Sequence, residues 1–448
     1  MYSGSRVWSR LKNIFIFIVL MNSFLIINIT EMSSFYYISV ILVLLLLYLV
    51  VNISPLKKEK LSRRLRIMIS GYELIVDCSI SAFIEIIFYV SQLIFKYLEL
   101  DYRSLVINGL TAIAVLIVPL VNGILRMMFT SRDLGVINRI LLLLLWWMPG
   151  ANAVILKNSC RKVRYEYYLE QTKMLRNESR KENEVCKTRY PVVLVHGIFF
   201  RDWMFLNYWG RIPKELIRNG AEIFYGHQQS SNPAAKSAEE LKDNILKIIN
   251  ETGCEKVNII AHSKGGLDSR YAISCLGLSK YVASLTTINT PHRGCRYVDF
   301  LLDKIPMSIK RFVADKYNKT FIKLGDKNPD FLGGVTDLTA EKCNEFNKKV
   351  KDADGVLYQS ITSKLKNIFS APFPLNLGYL FAKAFDGEND GLVGVESAKW
   401  GNFLGILKTD HKGISHGDVV DLTRIDLKGY DVSECYVEIL KKLKDRGF

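Results

Sequence analysis

Lys256-Val-Asn-Ile-Ile-Ala-His-Ser-Lys-Gly-Gly266 (KVNIIAHSKGG) is the stretch that decides the fold. Lys256–Ile260 reads as a buried strand, His262–Gly266 as a tight turn and Leu267–Leu276 as a helix. The surrounding sequence repeats that alternation. Upstream, Pro191–Val195 (PVVLV) is a short continuous apolar run ending at His-Gly, which suits a buried parallel strand entering a functional loop. A helix around Trp209–Asn219, a strand near Ala221–Tyr225 and an amphipathic helix over Ala235–Glu251 separate it from the quoted stretch. Val282–Ile288 is a further strand. Strands alternating with helices predict an α/β unit with a doubly wound, mostly parallel sheet.

The turn also carries chemistry. A serine hydroxyl is a weak nucleophile unless it is held exposed beside a base, and a sharp strand-to-helix turn places Ser263 in that position. Small residues two before and two after let the flanking backbones approach; Gly265 fits, and Ala261 stands where this motif usually has Gly. Acyl transfer also needs oxyanion donors, one after the nucleophile and one from the loop after the first strand. The backbone N–H groups of Lys264 and Ile198 are the candidates. His196 and His262 read as turn-stabilising residues. In the order Ser…Asp…His the base follows the acid, which leaves His416, in Ser415-His-Gly-Asp418, ahead of His411. Asp390, in the polar turn Gly387–Val393 (GENDGLV), is the candidate acid, with Asp386 as runner-up.

The chain has 448 residues, 60 Lys+Arg and 44 Asp+Glu, for a formal net charge of +16. Residues 1–150 hold 14 basic and 8 acidic side chains, residues 151–190 hold 10 and 5, and residues 191–448 hold 36 and 31. The basic excess is densest where the apolar runs lie, which predicts an anionic membrane surface rather than nucleic acid as partner. A hydrophobic content of 49% excludes a disordered chain. Eight cysteines without CxxC spacing exclude a zinc ribbon and a dense disulfide framework.

Crossing a bilayer takes roughly 20 apolar residues in a helix. Ile14–Ile29, Phe35–Ile53 and Leu105–Leu125 qualify, and Ile140–Leu156 is a shorter fourth run. Ile67–Phe95 is long enough but holds Glu73, Asp77 and Glu85, so it is expected either to span or to turn its carboxylates toward protein or headgroups. The first run lacks a small-x-small cleavage site and is read as an anchor. Residues 1–156 are therefore expected to form an all-α transmembrane region of four or five spans, 157–188 a charged helical connector and 189–448 the α/β unit. With five spans, twelve basic residues in the arm and the 54–66 and 126–139 segments face two in the alternate connections. That asymmetry predicts a multi-pass cell-membrane protein with a cytoplasmic arm and an extracellular second half.

PVVLVHG, AHSKGG, Thr290-Pro-His-Arg-Gly294, NDGLV and SHGDVV occur in this order, and together they resemble the bacterial triacylglycerol lipases of the Pseudomonas, Burkholderia and Bacillus type, in the α/β-hydrolase superfamily. The resemblance covers about residues 188–445 and none of the membrane region. It implies Ser263 as nucleophile, Asp390 as acid, His416 as base, and Ile198 and Lys264 as the oxyanion hole. The implied activity is cleavage of lipid esters with no cofactor needed for the chemistry. Such lipases often carry a structural calcium, with Asp418 here as its implied ligand, although no convincing partner aspartate lies well upstream of Asp390. The position of 296–340 implies a lid. Leu301, Leu302, Ile305, Ile309, Phe312 and Val313 recur there at near-helical spacing, which suits an apolar face over a pocket or an ordinary core helix. Phe199, Phe200, Trp203, Phe205 and Trp209 are candidates for lining an acyl pocket. Phospholipase, thioesterase or acyltransferase chemistry at the same site, and a silent membrane-tethered binding module, are the alternatives.

Overall fold

The computed structural model of the chain describes residues 3–30, 33–54, 61–96, 98, 100–145, 148–198, 207–323, 325–409 and 411–448. They divide into two compact units, Met1–Leu175 and Arg176–Phe448.

The first unit is helical: α1 (Ser3–Met21), α2 (Ser23–Thr30), α3 (Ser34–Ile53), α4 (Arg63–Phe95), α5 (Tyr102–Thr130), α6 (Gly135–Leu144) and the start of α7 (Pro149–Arg180). Three helices, Phe35–Ile53, Arg63–Phe95 and Tyr102–Thr130, are long and apolar enough to cross a membrane. The run expected as one straight span over Ile14–Ile29 is two helices bent by 65°. Asn22 sits at the bend, and its side chain donates to the Ile18 carbonyl, the local competition for backbone groups that bends helices. Ile140–Leu156 is not a single helix: α6 stops at Leu144 and α7 starts at Pro149. Ten residues of α6 rise only about 15 Å, half a bilayer core. Trp146 and Trp147 lie outside the described residues.

Asp77 and Glu85 of α4 face protein. Asp77, 1% exposed, accepts from Arg10 Nε at 3.0 Å and Asn13 Nδ2 at 2.9 Å. Glu85 accepts from Asn22 Nδ2 at 2.8 Å and Asn108 Nδ2 at 3.2 Å. α4 and α5 cross where Gly71 meets Gly123; a Cβ on Gly71 would lie 2.7 Å from the Gly123 carbonyl oxygen. Small residues at a crossing let apolar helices pack closely without help from the hydrophobic effect.

The second unit begins inside the expected connector. Arg176 and Arg180, near the end of α7, pair with Asp431 at 2.6 Å and Glu434 at 2.7 Å. Its frame is β1 (Val192–Val195), α8 (Ile212–Arg218), β2 (Ile223–Tyr225), α9 (Ala234–Thr252), β3 (Val257–His262), α10 (Lys264–Cys275) and β4 (Val282–Ile288). There follow α11 (Arg296–Lys304), α12 (Met307–Lys323), α13 (Phe331–Thr336), α14 (Ala340–Lys349), β5 (Leu357–Ser363), α15 (Leu375–Asp386), α16 (Val395–Ala398), β6 (Asn402–Leu407) and α17 (Val432–Asp445). All six strands are parallel, in the order β2-β1-β3-β4-β5-β6. Alternate strand residues feed two cores, as a period of two requires. Val192, Leu194 and Ile260 pack with α8 and α17 through Leu216, Tyr436 and Leu440. Val193, Val195, Ile259 and Ala261 pack with α9 and α10 through Leu241, Ile245 and Ile273.

The apolar stripe of the 296–340 insertion is interrupted. Ile305 has φ −79° and ψ 126°, the extended conformation a following proline favours, so Pro306 separates α11 from α12. Phe300, Met307, Ile309, Phe312 and Val313 are exposed, whereas Ala314 and Phe321 are buried.

Candidate functional site

β3 ends at His262 and α10 begins at Lys264, so Ser263 occupies the turn between them. Its φ is +55° with ψ −133°, an uncommon conformation for a residue with a Cβ and one that costs on the order of 1–3 kcal/mol. The turn is pinned on both sides. Ser263 N donates to the Ile288 carbonyl at 3.0 Å, and Gly266 N donates to the Ser263 carbonyl at 3.1 Å. A Cβ on Gly265 would stand 2.4 Å from the His196 carbonyl oxygen, so α10 starts against the end of β1. A Cβ on Gly197 would stand 2.7 Å from Ser263 Cβ, which puts the loop after β1 beside the serine. Ala261 is fully buried and fits where the motif usually has Gly.

The predicted acid and base meet. His416 Nδ1 lies 2.7 Å from Asp390 Oδ2, and His416 N donates to the Asp390 carbonyl at 2.9 Å. Asp390 is fully buried, and its other oxygen accepts from Leu392 N at 2.9 Å and Val393 N at 2.7 Å. Three hydrogen bonds fix this carboxylate and hold the imidazole in one orientation. The runner-up acid, Asp386, closes α15 and accepts instead from Arg296 N at 3.2 Å. The runner-up base, His411, is exposed.

His262 links the serine turn to this pair. Its ring centroid lies 4.5 Å from that of His416. Tyr208 Oη lies 2.6 Å from His262 Nδ1 and accepts from Gly197 N at 3.2 Å, so one phenol ties the loop after β1 to the serine turn. Complete burial, reinforced by the neighbouring His416, holds the pKa of His262 well below the usual imidazole range. The neutral ring adds no positive charge beside Asp390 and His416. Tyr208 falls between Phe205 and Trp209 in a run whose aromatic character alone does not single it out. Phe199, Phe200, Trp203 and Phe205 lie outside the described residues; Trp209 is fully buried in the core between β1, α8 and α17.

The N–H groups of Ile198 and Lys264 donate to no group among the described residues. Both flank the serine turn, where unsatisfied donors can serve a developing oxyanion. The side chain of Lys264 is fully buried; its Nζ donates to Asp268 Oδ1 at 2.7 Å and Ser237 Oγ at 3.1 Å. Burial pushes the Asp268 carboxyl up to about 7 against the opposing pull of the Lys264 ammonium. The spacing of 264 and 268, one helical turn apart, is the sequence signal for this pair.

Asp418, implied as a calcium ligand, is held by Ser415. Its Oδ2 accepts from Ser415 N at 3.0 Å and Ser415 Oγ at 2.7 Å, closing the turn that carries His416. Burial raises the pKa of the Asp418 carboxyl. Among the described residues no three His, Cys, Asp or Glu side chains are grouped to hold a metal ion.

An apolar surface borders the site. α15 packs inward through Gly378, close to the Gly391 carbonyl, and through the fully buried Ala382. Its other face exposes Leu377, Leu380, Phe381 and Phe385, continuing Phe369 (87% exposed) and Phe373 (75%). A Cβ on Gly417, next to His416, would touch Leu422 at 3.5 Å and Leu375 at 3.9 Å.

Residues 190–366 match the family model of the alpha/beta hydrolase fold. A triacylglycerol lipase of Vibrio cholerae is 30% identical over 259 residues, spanning 52% of this chain and 80% of that protein. Triacylglycerol lipase 2 of Saccharomyces cerevisiae is 28% identical over 261 residues, spanning 54% of this chain and 75% of the relative. Among solved structures, the Staphylococcus hyicus lipase is similar at 18% identity and a TM-score of 0.47, covering 58% of this chain and 97% of the lipase.

Proposed function

We propose that this chain, which belongs to the α/β-hydrolase family that includes the triacylglycerol lipases, is a membrane-anchored serine hydrolase cleaving carboxylic esters of lipids. The observation that carries the reading is the 2.7 Å bond between His416 and Asp390, beside a strained serine turn. In this mechanism Ser263 Oγ attacks the ester carbonyl carbon while His416 Nε2 takes its proton. Asp390 holds the imidazole with its proton on Nδ1 and stabilises the imidazolium that forms. The N–H groups of Ile198 and Lys264 receive the oxyanion. His416 then protonates the departing alcohol, leaving an acyl-serine that water, activated by the same imidazole, hydrolyses.

A panel of p-nitrophenyl esters from acetate to palmitate, offered with and without phospholipid vesicles, tests the activity. Turnover of the panel by wild type is expected, and its absence from every member removes the reading.

The exposed aromatic residues before and along α15 are the proposed approach for lipid substrate. Phe373→Gln with Phe381→Gln is expected to slow hydrolysis of vesicle-borne long-chain ester by about tenfold or more, because withdrawing one phenyl ring from apolar surroundings costs roughly 1.5–3 kcal/mol. Turnover of soluble p-nitrophenyl acetate should stay unchanged; a parallel loss on both substrates contradicts the assignment.

Orientation follows from the span count. Five spans would send the second half outward; taking the bent α1–α2 pair as one span beside the three long apolar helices gives four. Four spans return the chain after Thr130 to the side of the basic arm, so the hydrolase unit is assigned to the cytoplasmic face. Cys275 is exposed in that unit. A membrane-impermeant maleimide should modify it only after lysis; labelling in intact cells reverses the orientation.

A further inference from the structure

The first unit holds a polar cavity that the hydrolytic reading does not use. It measures about 150 Å³ and opens among α1, α3, α4 and α5, lined by Ser9, Lys12, Ser54, Ser70, Glu73 and Arg126. Arg126 is half-buried in an otherwise apolar helix. Its Nη1 donates to Ser70 Oγ at 2.7 Å, its Nε to Asn122 Oδ1 at 3.2 Å, and its Nη2 to the Asn52 carbonyl. All three partners are neutral. No carboxylate lies within ion-pairing distance of Arg126 among the described residues. Two other part-buried cations of this unit face acids: Arg10 faces Asp77, and Arg64 faces Glu166. Glu73 supplies the cavity's one acid and has an interaction partner of its own. Against it stand two cations, so the lining is net positive.

A cation in apolar surroundings without a counter-charge is costly, and a ligand that brings the missing charge is bound correspondingly well. The cavity's position says which kind. Arg126 lies one turn, about 6 Å, inside the end of α5, and Ser54 caps the end of α3. Ser9 and Lys12 line the cavity together with Ser54 and Arg126, so it belongs to the end of the bundle that carries the basic arm. The 29 residues of α5 rise about 44 Å, more than the roughly 30 Å of a hydrocarbon core, so a residue one turn from its end falls at headgroup level if the helix spans. Drug-sized ligands fill some 300–1,000 Å³, so about 150 Å³ suits a single headgroup phosphate rather than a whole soluble metabolite.

We propose that this cavity binds the phosphate of an anionic phospholipid, held between Arg126 and Lys12. Arg126 offers its remaining N–H groups, and Lys12, exposed at the rim, adds a second charge. The serine hydroxyls of Ser9 and Ser54 are further donors for the phosphate oxygens.

The test uses the full chain, delipidated in detergent and offered equimolar phosphatidylglycerol and phosphatidylcholine, with bound lipid counted by native mass spectrometry. A juxtamembrane cation contributes about a fivefold preference for anionic lipid, so wild type should favour phosphatidylglycerol by about 25-fold, and Lys12→Gln with Arg126→Gln should bring the ratio near one. Because Arg126 also ties three helices together, Lys12→Gln alone is the second variant. It should reduce the preference about fivefold with thermal stability unchanged. A parallel arm adds inorganic phosphate, which should neither displace phosphatidylglycerol nor raise the melting temperature. No headgroup preference in wild type, an undiminished preference in Lys12→Gln, or displacement by free phosphate overturns the proposal. None of these readouts depends on ester hydrolysis.

Discussion

Asp390→Asn should lower kcat on a soluble ester by about 10⁴-fold while leaving the fold in place. The carboxylate accepts a 2.7 Å hydrogen bond from His416 Nδ1. An amide in its place can turn its NH₂ toward the ring, which then carries its proton on Nε2, the atom that must receive the serine proton. An aspartate-to-asparagine change of this kind leaves geometry intact and costs about 10⁴ in kcat in a serine protease triad. The asparagine oxygen can still accept from Leu392 N and Val393 N, so the turn survives. Asp386→Asn is the matched control. That carboxylate serves the start of α11 through Arg296 N, and its loss should change kcat by less than about threefold. Steady-state kinetics with a melting curve on each variant decide the point: similar kcat values for the two would place the acid elsewhere.

Gly265→Ala should be among the more damaging single methyl additions in the second unit. The added Cβ would sit 2.4 Å from the His196 carbonyl oxygen and 2.8 Å from that of Val195. Both obstacles are backbone at the end of a central strand, so no side-chain rotation relieves them. α10 must move away from β1, which opens the core around Ala261 and Ile273 and shifts the loop carrying Ile198. Overpacking of this severity costs about 3 kcal/mol, equivalent to roughly 6–12 °C in Tm for a unit of this size. Activity should fall with it. Ala261→Gly, which restores the residue usual in this motif, removes one buried methyl and should cost only about 1 kcal/mol. Intrinsic-fluorescence melting of the two variants measures the contrast, and equal Tm values would contradict the close approach of α10 to β1.

The second unit's fold was largely legible in the sequence because its strands are continuous apolar runs bounded by turn residues. PVVLV, KVNII and Val282–Ile288 each became a strand, and the helix expected over Ala235–Glu251 runs Ala234–Thr252. The Asp390–His416 contact was legible only through chain order, since twenty-five residues separate the two and no periodicity relates them. Three features were hidden for physical reasons. Tyr208 matters because its hydroxyl bridges Gly197 and His262, a contact made by folding rather than by spacing. Lys264 is enclosed by Asp268, one turn away, and by Ser237, a partner that no spacing announces. Asp418 closes the turn that carries His416 through Ser415, a contact its place in the sequence does not announce. In the first unit, hydropathy located the apolar stretches but not their breaks. The bend at Asn22 and the interruption between Leu144 and Pro149 depend on single residues inside apolar runs, and averaging over a window removes them.

Fluorophosphonate labelling of the full chain, with the modified peptide identified by mass spectrometry, addresses the central assignment directly. A single adduct on Ser263, absent from Ser263→Ala, is the expected result. An adduct on another serine, or undiminished labelling of Ser263→Ala, would remove Ser263 as the nucleophile and with it the mechanism built on the Asp390–His416 pair.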